Sequence, residues 1–351
     1  MIKMGIKNLH TFLRSIDQNI YKKKQIQDYQ NQVFAVDTSI YMCKYKSSMG
    51  NRWLQGFWLM LVLFKKYNIK LIFVFDAKPP PEKEVERHFR NLQKEKIKKK
   101  VDTVTTEYYA SKKENYKFKN VKEYFNWIEK KFPNLFSHLK KHENDILNEM
   151  DVYFIIQKLE NSIIRIHGDD FVLLKNFLTI LQIPFLYAHS EAEGTCAFLN
   201  EIGKVDGVLT EDTDVLVYGC KMMLHSLKLK DEIINELKLD DILNTMQVKQ
   251  KQFVDFCIMC GTDYNDNIPK LGPKTCYALI QKNENLENIE KLQKYDTSIL
   301  NYQRVRSLFG FDDYKIELNS SEEEKPKKID VQQFLFENNL IYTREALELF
   351  L

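Results

Sequence analysis

Seven carboxylates in this sequence are placed where they could hold metal ions. They are Asp37, Asp76, Glu191, Glu193, Asp212, Asp214 and Asp263. Asp37 directly follows the apolar run Val33–Val36, and Asp76 follows Leu71–Phe75; both runs are typical of buried strands. Because sites in open α/β sheets form beyond the carboxyl ends of the strands, we expect the seven side chains to converge at one rim.

A cluster of this kind has a definite chemistry. Seven carboxylates without counter-charge would repel one another strongly. Mg²⁺ prefers oxygen ligands, and two such ions about 4 Å apart can clamp the attacking and leaving oxygens of a phosphodiester. The acids therefore predict a site for two Mg²⁺ ions, with Mn²⁺ as a substitute, and the hydrolysis of phosphodiester bonds.

Each acid also has an ordinary structural explanation. An aspartate after a strand is a common turn residue. Ser190–Glu193 fits a capping box at the start of a helix, and Glu211–Asp214 fits a solvated loop. The metal site becomes the better explanation when the acids are considered together with a basic segment that is inserted between two of the strands.

The elements that must position these acids alternate between strands and helices. The predicted strands are Val33–Val36, Leu71–Phe75, Ile183–Leu186 and Gly207–Leu209. The predicted helices include Trp53–Tyr67, Asp170–Leu181 and Ser190–Ile202. This alternation predicts an α/β fold with a mainly parallel central sheet and helices on both faces.

The basic segment covers residues 78–142, where 18 Lys and Arg stand against 9 Asp and Glu. The segment carries +9 and the whole chain +3, so the rest of the chain carries −6. Aromatic residues are interleaved with the lysines: Tyr108, Tyr109, Tyr116, Phe118, Tyr124, Phe125 and Trp127. Basic side chains neutralise phosphates and aromatic rings stack on bases, so the segment predicts nucleic-acid binding. The alternative is a solvated helical face.

Composition excludes several classes of protein. With 351 residues, 44% apolar and 29% charged, the chain is typical of a globular protein. The longest apolar run, Trp53–Phe64, is too short to span a bilayer, and the first residues lack a signal-peptide pattern. Six cysteines follow no tight framework, so we expect a reducing, intracellular compartment and no membrane partner.

Several segments together resemble the flap endonuclease family of 5′ structure-specific nucleases, the wider group that includes XPG. The matching segments are Met4–Ile6, Val36–Tyr41, Phe73–Pro80, Ser190–Glu193, Thr210–Asp214, Cys260–Tyr264 and Ile268–Lys274. They cover most of residues 4–285 in the family's order. The resemblance implies a PIN-like 5′-nuclease core in which the basic segment forms a helical arch over the 5′ single strand.

The resemblance also implies roles for individual residues. All seven acids match the metal-binding acids of the family, and the resemblance implies that Asp76, Glu191 and Asp212 also act in catalysis. Lys83 and Arg90 lie seven and fourteen residues after Asp76, where the family has a basic pair at the base of the arch. These two side chains would stabilise the scissile phosphate.

Further matches concern contacts with DNA. Residues 253–282 resemble a helix–three-turn–helix, in which backbone amides and a K⁺ ion grip the phosphates of the downstream duplex. Gly272 and Lys274 are the residues we expect at that contact, and Lys78 is a further candidate. Tyr41 could stack on a base near the active site, and packing in the core is the alternative.

The predicted domain organisation has two parts. The catalytic domain is residues 1–285, made of residues 4–76, the arch at about 82–150, and residues 160–285. Residues 286–351 form a small helical extension that packs on this core. The extension contains the polar loop Asn319–Lys328, and Ile329–Leu351 is predicted to be helical.

Four departures from the family suggest a divergent, viral member. Met1–Lys3 precede the usual start, so either Met4 begins the functional chain or the extension is accommodated. The interval between Asp37 and Asp76 is short, and Lys270 replaces a glycine, which leaves K⁺ binding open. Gln332–Leu335 does not fit the sliding-clamp motif, so we expect no clamp partner.

The expected function is that of a divalent-metal-dependent 5′ flap endonuclease or 5′–3′ exonuclease. It would act on branched or nicked DNA during replication, repair or recombination, in the nucleus, the cytoplasm or a viral replication site. A junction-resolving nuclease, an RNA-cleaving nuclease and a nuclease-dead DNA-binding scaffold remain alternatives. We expect a monomer, or a dimer on junctions.

Overall fold

The computed structural model describes residues 5–114, 121–142, 149–163, 165–312, 314 and 327–351. Within this part the strands form one seven-stranded sheet. The strands are β1 (Lys22–Gln25), β2 (Val33–Asp37), β3 (Lys70–Phe75), β4 (Phe185–Tyr187), β5 (Gly207–Leu209), β6 (Met222–Lys228) and β7 (Ile233–Lys238).

The helices of the described residues lie mostly between these strands and after them. They are α1 (Leu9–Ile16), α2 (Thr38–Met49), α3 (Trp53–Lys66), α4 (Glu84–Lys113), α5 (Val121–Lys131), α6 (Pro133–Leu139), α7 (Glu149–Asn161), α8 (Gly168–Ile180), α9 (Ala192–Glu201), α10 (Asp214–Val217), α11 (Leu239–Met246), α12 (Gln250–Cys260), α13 (Pro273–Asn283), α14 (Leu286–Lys291), α15 (Tyr302–Leu308), α16 (Lys328–Glu337) and α17 (Arg344–Glu348).

The order of strands places the acids that follow β2, β3 and β5 at the carboxyl ends of neighbouring parallel strands. The order is β1-β7-β6-β5-β2-β3-β4, and the pairings from β6 to β4 are all parallel. Among the strands of the described residues, the antiparallel pairings are those of β7 with β1 and with β6. The carboxyl ends of β2, β3 and β5 therefore lie side by side. The mainly parallel sheet is confirmed, although the strand predicted at Ile183–Leu186 begins two residues later.

The chain divides into two compact units. The first comprises Met1–Met42, Leu54–Glu86 and Gly168–Leu351, and it contains the sheet. The apolar runs that predict β2, β3 and β5 are buried at its centre. The sequence did not predict the β6–β7 hairpin.

Residues near the end of the chain pack on the first unit. The ring of Phe334 in α16 stacks on Phe177 in α8, with centroids 5.1 Å apart. Phe350 lies against Trp58 of α3 at 5.3 Å. The side-chain amide of Gln55 also exchanges two hydrogen bonds with the backbone of Ile341, at 2.9 and 2.7 Å. α3 and α8 thus each receive an aromatic side chain from this region.

The second unit comprises Cys43–Trp53 and Arg87–His167 and has a hydrophobic core of its own. The buried residues of that core are Val104, Tyr108, Ile128, Phe132, Leu135, Leu139, Val152 and Ile156. Its bounds differ from the predicted arch, because α7 and Cys43–Trp53 belong to it. The predicted domain bounds remain predictions.

Most of the aromatic residues expected to stack on bases instead pack inside this second unit. Tyr108 is only 3% exposed, and Tyr124, Phe125 and Trp127 lie against the same core. Tyr109 is exposed, and its hydroxyl donates to Glu160; Tyr116 and Phe118 lie outside the described residues. Base stacking was therefore the wrong interpretation for the buried rings, because an aromatic residue beside lysines in the sequence can face a helical core.

Tyr41 is a second correction. Its side chain is fully buried, in α2, so it packs in the core and does not present a face to a base. Cys257 and Cys260 are buried free thiols. Among the described helices, none has the length and apolar character needed to cross a bilayer.

Candidate active site

The carboxyl ends of β2 and β3 deliver the first two acids. Asp37 is the last residue of β2 and is buried. Asp76 follows β3 and is exposed, and its Oδ1 accepts a hydrogen bond from the backbone N–H of Ala192 at 2.8 Å. This bond connects the end of β3 to the start of α9, which carries Glu193.

The capping box that offered an ordinary explanation for Ser190–Glu193 does not form. The Ser190 hydroxyl donates to the backbone oxygen of Lys78 instead, at 3.1 Å. Glu193 lies within 3.6 Å of the Lys83 ammonium. The two glutamates are therefore directed toward the acid cluster and not toward the backbone of their own helix.

Hydrogen bonds fix the loop that follows β5. The hydroxyl of Thr210 donates to Asp37 Oδ2 at 3.0 Å and accepts the backbone N–H of Asp212 at 3.0 Å. Asp212 Oδ1 in turn accepts the backbone N–H of Asp214 at 3.0 Å. This series links three of the seven acids across two neighbouring strands.

Gly5 packs against the same loop. Its φ is +77°, and a Cβ at this position would lie 2.3 Å from Asp212 Oδ1. The next residue, Ile6, donates its N–H to the hydroxyl of Thr213 at 3.0 Å. A glycine is needed here because any side chain would collide with the aspartate and strain the backbone. Met1–Lys3 lie outside the described residues.

Lys83 lies among three of the acids. It ends a short 3₁₀ turn, Pro81–Lys83, directly before α4, and is only 8% exposed. Its ammonium pairs with Glu191 Oε1, with Asp263 Oδ2 at 3.0 Å, and with Glu193 Oε1 at 3.6 Å. Burial alone would lower the pKa of Lys83, but the three carboxylates outweigh it and raise the pKa.

Three of the acids have pKa values well above the ordinary value. Burial, together with the charges of Asp76 and Asp212, raises the pKa of Asp37 to about 8. Burial and neighbouring acids also raise the pKa values of Glu193 and Asp214. Asp214 is fully buried, and neither of its carboxylate oxygens accepts a hydrogen bond from the described residues. The cluster therefore has more negative charge than Lys83 balances.

The residues present fit a hard divalent cation. Every candidate ligand is a carboxylate, and oxygen ligands suit Mg²⁺ and Mn²⁺ better than they suit softer metals. The two unsatisfied oxygens of Asp214 are the clearest sign that a cation is needed. As they stand, no three acidic, histidine or cysteine side chains of the described residues converge closely enough to hold an ion. Lys83 supplies the positive charge between Glu191, Glu193 and Asp263.

The remaining predicted site residues are carried by other parts of the chain. Arg90 is in α4 and belongs to the second unit, and Lys78 is exposed after β3. Gly272 and Lys274 are exposed at the start of α13, and a Cβ on Gly272 would meet no described atom within 4 Å. Lys270, in the preceding turn, adopts a φ of +65°, which a glycine would adopt without strain. The predicted phosphate and K⁺ contacts remain predictions.

Sequence reasoning missed two buried tyrosines at the site. The hydroxyl of Tyr264 donates to Glu191 Oε2 at 2.6 Å, and it lies 2.9 Å from the hydroxyl of Tyr218. Tyr264 directly follows Asp263, which was the only available signal. Nothing in the local pattern around Tyr218 indicates that it points to the same place.

We expect the metal-free protein to lose stability as the pH rises from about 4 to about 8. The folded state keeps a proton on Asp37 up to its raised pKa of about 8, whereas an ordinary aspartate loses it near 3.8. The folded state therefore binds more protons in this window. Its free energy of unfolding should fall by about 1.4 kcal/mol per pH unit for each such carboxyl. Denaturant unfolding in EDTA measures the slope.

The variant Asp37→Asn provides the control for this pH dependence. It lacks the titrating carboxyl, so its stability should fall less steeply over the same interval. Adding Mg²⁺ should flatten or reverse the slope of the unchanged protein, since a bound cation favours ionised acids. A metal-free protein that becomes more stable between about pH 5 and 8 would contradict the expectation.

Two family models match the chain. The XPG N-terminal domain matches residues 4–97, and the XPG I-region matches residues 182–263. All seven acids fall within these two ranges, as do Lys83 and Arg90.

Known proteins are similar over most of the chain. The probable RAD2-like endonuclease 369L of Invertebrate iridescent virus 6 is 31% identical over 338 residues, which cover 88% of this chain and 79% of the viral protein. Flap endonuclease 1 of Entamoeba histolytica is 28% identical over 351 residues, covering 93% of this chain and 82% of that protein. Human GEN1, solved in complex with Holliday junction DNA, has a similar fold. Its TM-score is 0.63 at 18% identity, over 98% of this chain and 76% of that chain.

Proposed function

Because this chain belongs to the XPG family of nucleases, we propose that it cleaves DNA at the point where a 5′ single strand meets a duplex. Membership of the family makes it a nuclease, and so a hydrolase of phosphodiester bonds. The observation that carries the proposal is the cluster of buried acids around Asp37, Asp212 and Asp214, which has excess negative charge.

The seven acids are the proposed ligands of two divalent ions, Mg²⁺ or Mn²⁺. When bound, such ions would lower the pKa of a water molecule and stabilise negative charge on the phosphate. The side chains of Asp37 and Asp212 are held in place by hydrogen bonds from the Thr210 hydroxyl and from the backbone N–H of Asp214. This fixed geometry favours an ion because the side chains need not be ordered at the moment of binding.

Lys83 is the proposed partner of the scissile phosphate. Its ammonium is buried beside the carboxylates, where water does not screen its charge. A cation in this position would stabilise the charge that develops on the phosphate during cleavage. We propose that Arg90 contributes to the same role, as the seven-residue spacing from Lys83 predicts.

Gly272 and Lys274 are the proposed contact with the duplex. They lie at the N-terminus of α13, an eleven-residue helix whose first amide groups would be available to an approaching phosphate. Both are exposed, so a DNA strand could reach them. Contacts of this kind read the backbone and shape of the duplex and not its sequence.

The test is cleavage of a 5′-labelled panel that contains a 5′ flap, a nick, a gapped duplex, a four-way junction and single-stranded RNA. Each substrate is incubated with Mg²⁺ and, as the matched control, with EDTA. We expect incision near the base of the flap, at the highest rate of the panel, and no incision in EDTA.

The panel also contains the outcomes that would change the proposal. Preference for the four-way junction would indicate a junction-resolving nuclease, and preference for RNA would indicate an RNA-cleaving one. Cleavage that continues in EDTA would contradict the metal site. Tight DNA binding without cleavage of any substrate would mean that the chain acts as a binding module.

A further inference from the structure

A series of buried tyrosine hydroxyls leads to Glu191. Tyr264 donates to Glu191 Oε2 at 2.6 Å, and the hydroxyls of Tyr218 and Tyr264 are 2.9 Å apart. Tyr264 and Tyr218 are 8% and 6% exposed, so water cannot easily replace these bonds.

The direction of the hydrogen bonds follows from the number of protons. A phenol has one hydrogen to donate, and Tyr264 donates it to the carboxylate of Glu191. The oxygen of Tyr264 must therefore accept the hydrogen of Tyr218. Hydrogen bonds in such a series polarise one another, so Tyr218 strengthens the bond that Tyr264 makes to Glu191.

The bond fixes the orientation of the Glu191 carboxylate. Oε2 is held by Tyr264, while Oε1 faces the ammonium of Lys83. The two oxygens therefore have different partners: Oε2 has a buried tyrosine, and Oε1 has the cation of Lys83. Among the contacts described, only the ion pair with Lys83 would then remain to fix the rotation of the Glu191 carboxylate if Tyr264 were lost.

The packing around the tyrosines requires a glycine in α9. A Cβ on Gly194, three residues after Glu191, would lie 2.2 Å from the hydroxyl of Tyr314 and 3.0 Å from the ring of Tyr218. The ring of Tyr218 also packs edge-on against Phe309, with centroids 4.9 Å apart. The tyrosines can approach α9, which begins directly after Glu191, because position 194 has no side chain.

We propose that Tyr264, supported by Tyr218, is a positioning residue that orients Glu191 to bind a divalent cation. This inference rests on the proposed metal site. Carboxylates that bind metals are commonly held by hydrogen bonds from a second layer of residues, and loss of such a partner typically weakens metal binding about 10- to 100-fold. A purely structural tyrosine would affect folding stability and leave metal affinity unchanged.

The test is a titration of the 351-residue chain with Mn²⁺, in which binding is measured by calorimetry or electron paramagnetic resonance. Tyr264→Phe should bind Mn²⁺ about 10-fold more weakly than the unchanged protein, and Tyr218→Phe should show a smaller loss in the same direction. The matched control is Tyr29→Phe, because Tyr29 is also buried and donates to a buried glutamate, Glu236, at 3.1 Å. It should bind Mn²⁺ normally.

A second measurement separates positioning from catalysis. The Mg²⁺ concentration for half-maximal cleavage should rise in Tyr264→Phe, while the rate at saturating Mg²⁺ recovers toward that of the unchanged protein. If Tyr264→Phe does not fold, Tyr218→Phe decides the question by the same two measurements.

Three outcomes would overturn the proposal. Equal Mn²⁺ affinity in the folded tyrosine variants and the unchanged protein would show that the tyrosines are structural. An equal loss in Tyr29→Phe would attribute the effect to general destabilisation. If the unchanged protein itself binds no Mn²⁺, both this inference and the proposed metal site fail, whereas the first two outcomes leave the metal site standing.

Discussion

Replacing Asp212 with asparagine is expected to reduce Mg²⁺-dependent cleavage by at least about 10³-fold, because metal ions contribute several kcal/mol to the transition state. Asp212 is 3% exposed, and its Oδ1 already accepts the N–H of Asp214. Asparagine can keep that hydrogen bond through its own oxygen. The substitution therefore removes negative charge with little change in the fold of the loop.

The measurement is the single-turnover rate on the 5′ flap, with Mn²⁺ affinity as a second readout. Asp255→Asn is the matched control: Asp255 is 2% exposed and pairs with Arg306 at 2.6 Å. That variant should lose stability and keep its cleavage rate where it is folded. A tenfold loss of rate corresponds to about 1.4 kcal/mol of activation free energy. If Asp212→Asn loses less than this, Asp212 is not part of the catalytic centre.

Replacing Lys83 with methionine is expected to affect both activity and stability. Loss of a fixed charge that stabilises the transition state typically costs about 10²- to 10³-fold in rate. The metal-free protein should also lose about 3–5 kcal/mol of stability, because Glu191 and Asp263 would remain buried without their cation. A divalent ion can supply the missing charge, so Mg²⁺ should stabilise this variant more than it stabilises the unchanged protein.

Thermal or denaturant unfolding with EDTA and with Mg²⁺ measures the stability effect, and single-turnover cleavage measures the rate. Lys66→Met is the matched control, since Lys66 pairs with Glu232 at 2.8 Å but its side chain is 50% exposed. An exposed pair is worth less than about 1 kcal/mol, so this control should behave almost normally. A Lys83→Met variant as stable as the unchanged protein in EDTA would show that the buried ion pairs do not stabilise the fold.

The strands and the acids at their ends could be predicted from the sequence because the signals are local. The run Leu71–Phe75 is too short for a typical buried helix and is followed by prolines, so it favours a buried strand. Because β2, β3 and β5 are parallel neighbours, their carboxyl ends must lie on the same side of the sheet. The β6–β7 hairpin was not predicted, because it mixes apolar residues with lysines and has no distinct turn signal.

Residues whose role depends on distant partners could not be predicted. Tyr264 and Glu191 are 73 residues apart, and Thr210 and Asp37 are 173 residues apart. The same limit explains the error at Tyr41, because an aromatic residue after a strand has the same local pattern whether its ring packs in the core or meets a base. Burial decided the question.

The sequence by itself determined the chemistry of this protein: carboxylates in number and spacing suited to hard cations, a separate basic segment, and a mainly parallel sheet. These follow from residue type and short-range periodicity. Only the tertiary structure decided which groups meet. It placed the Lys83 ammonium among Glu191, Glu193 and Asp263 and directed the hydroxyl of Tyr264 at Glu191. It also assigned most of the aromatic rings of the basic segment to a core. Such contacts join residues far apart in the chain, and burial then sets their charge and strength.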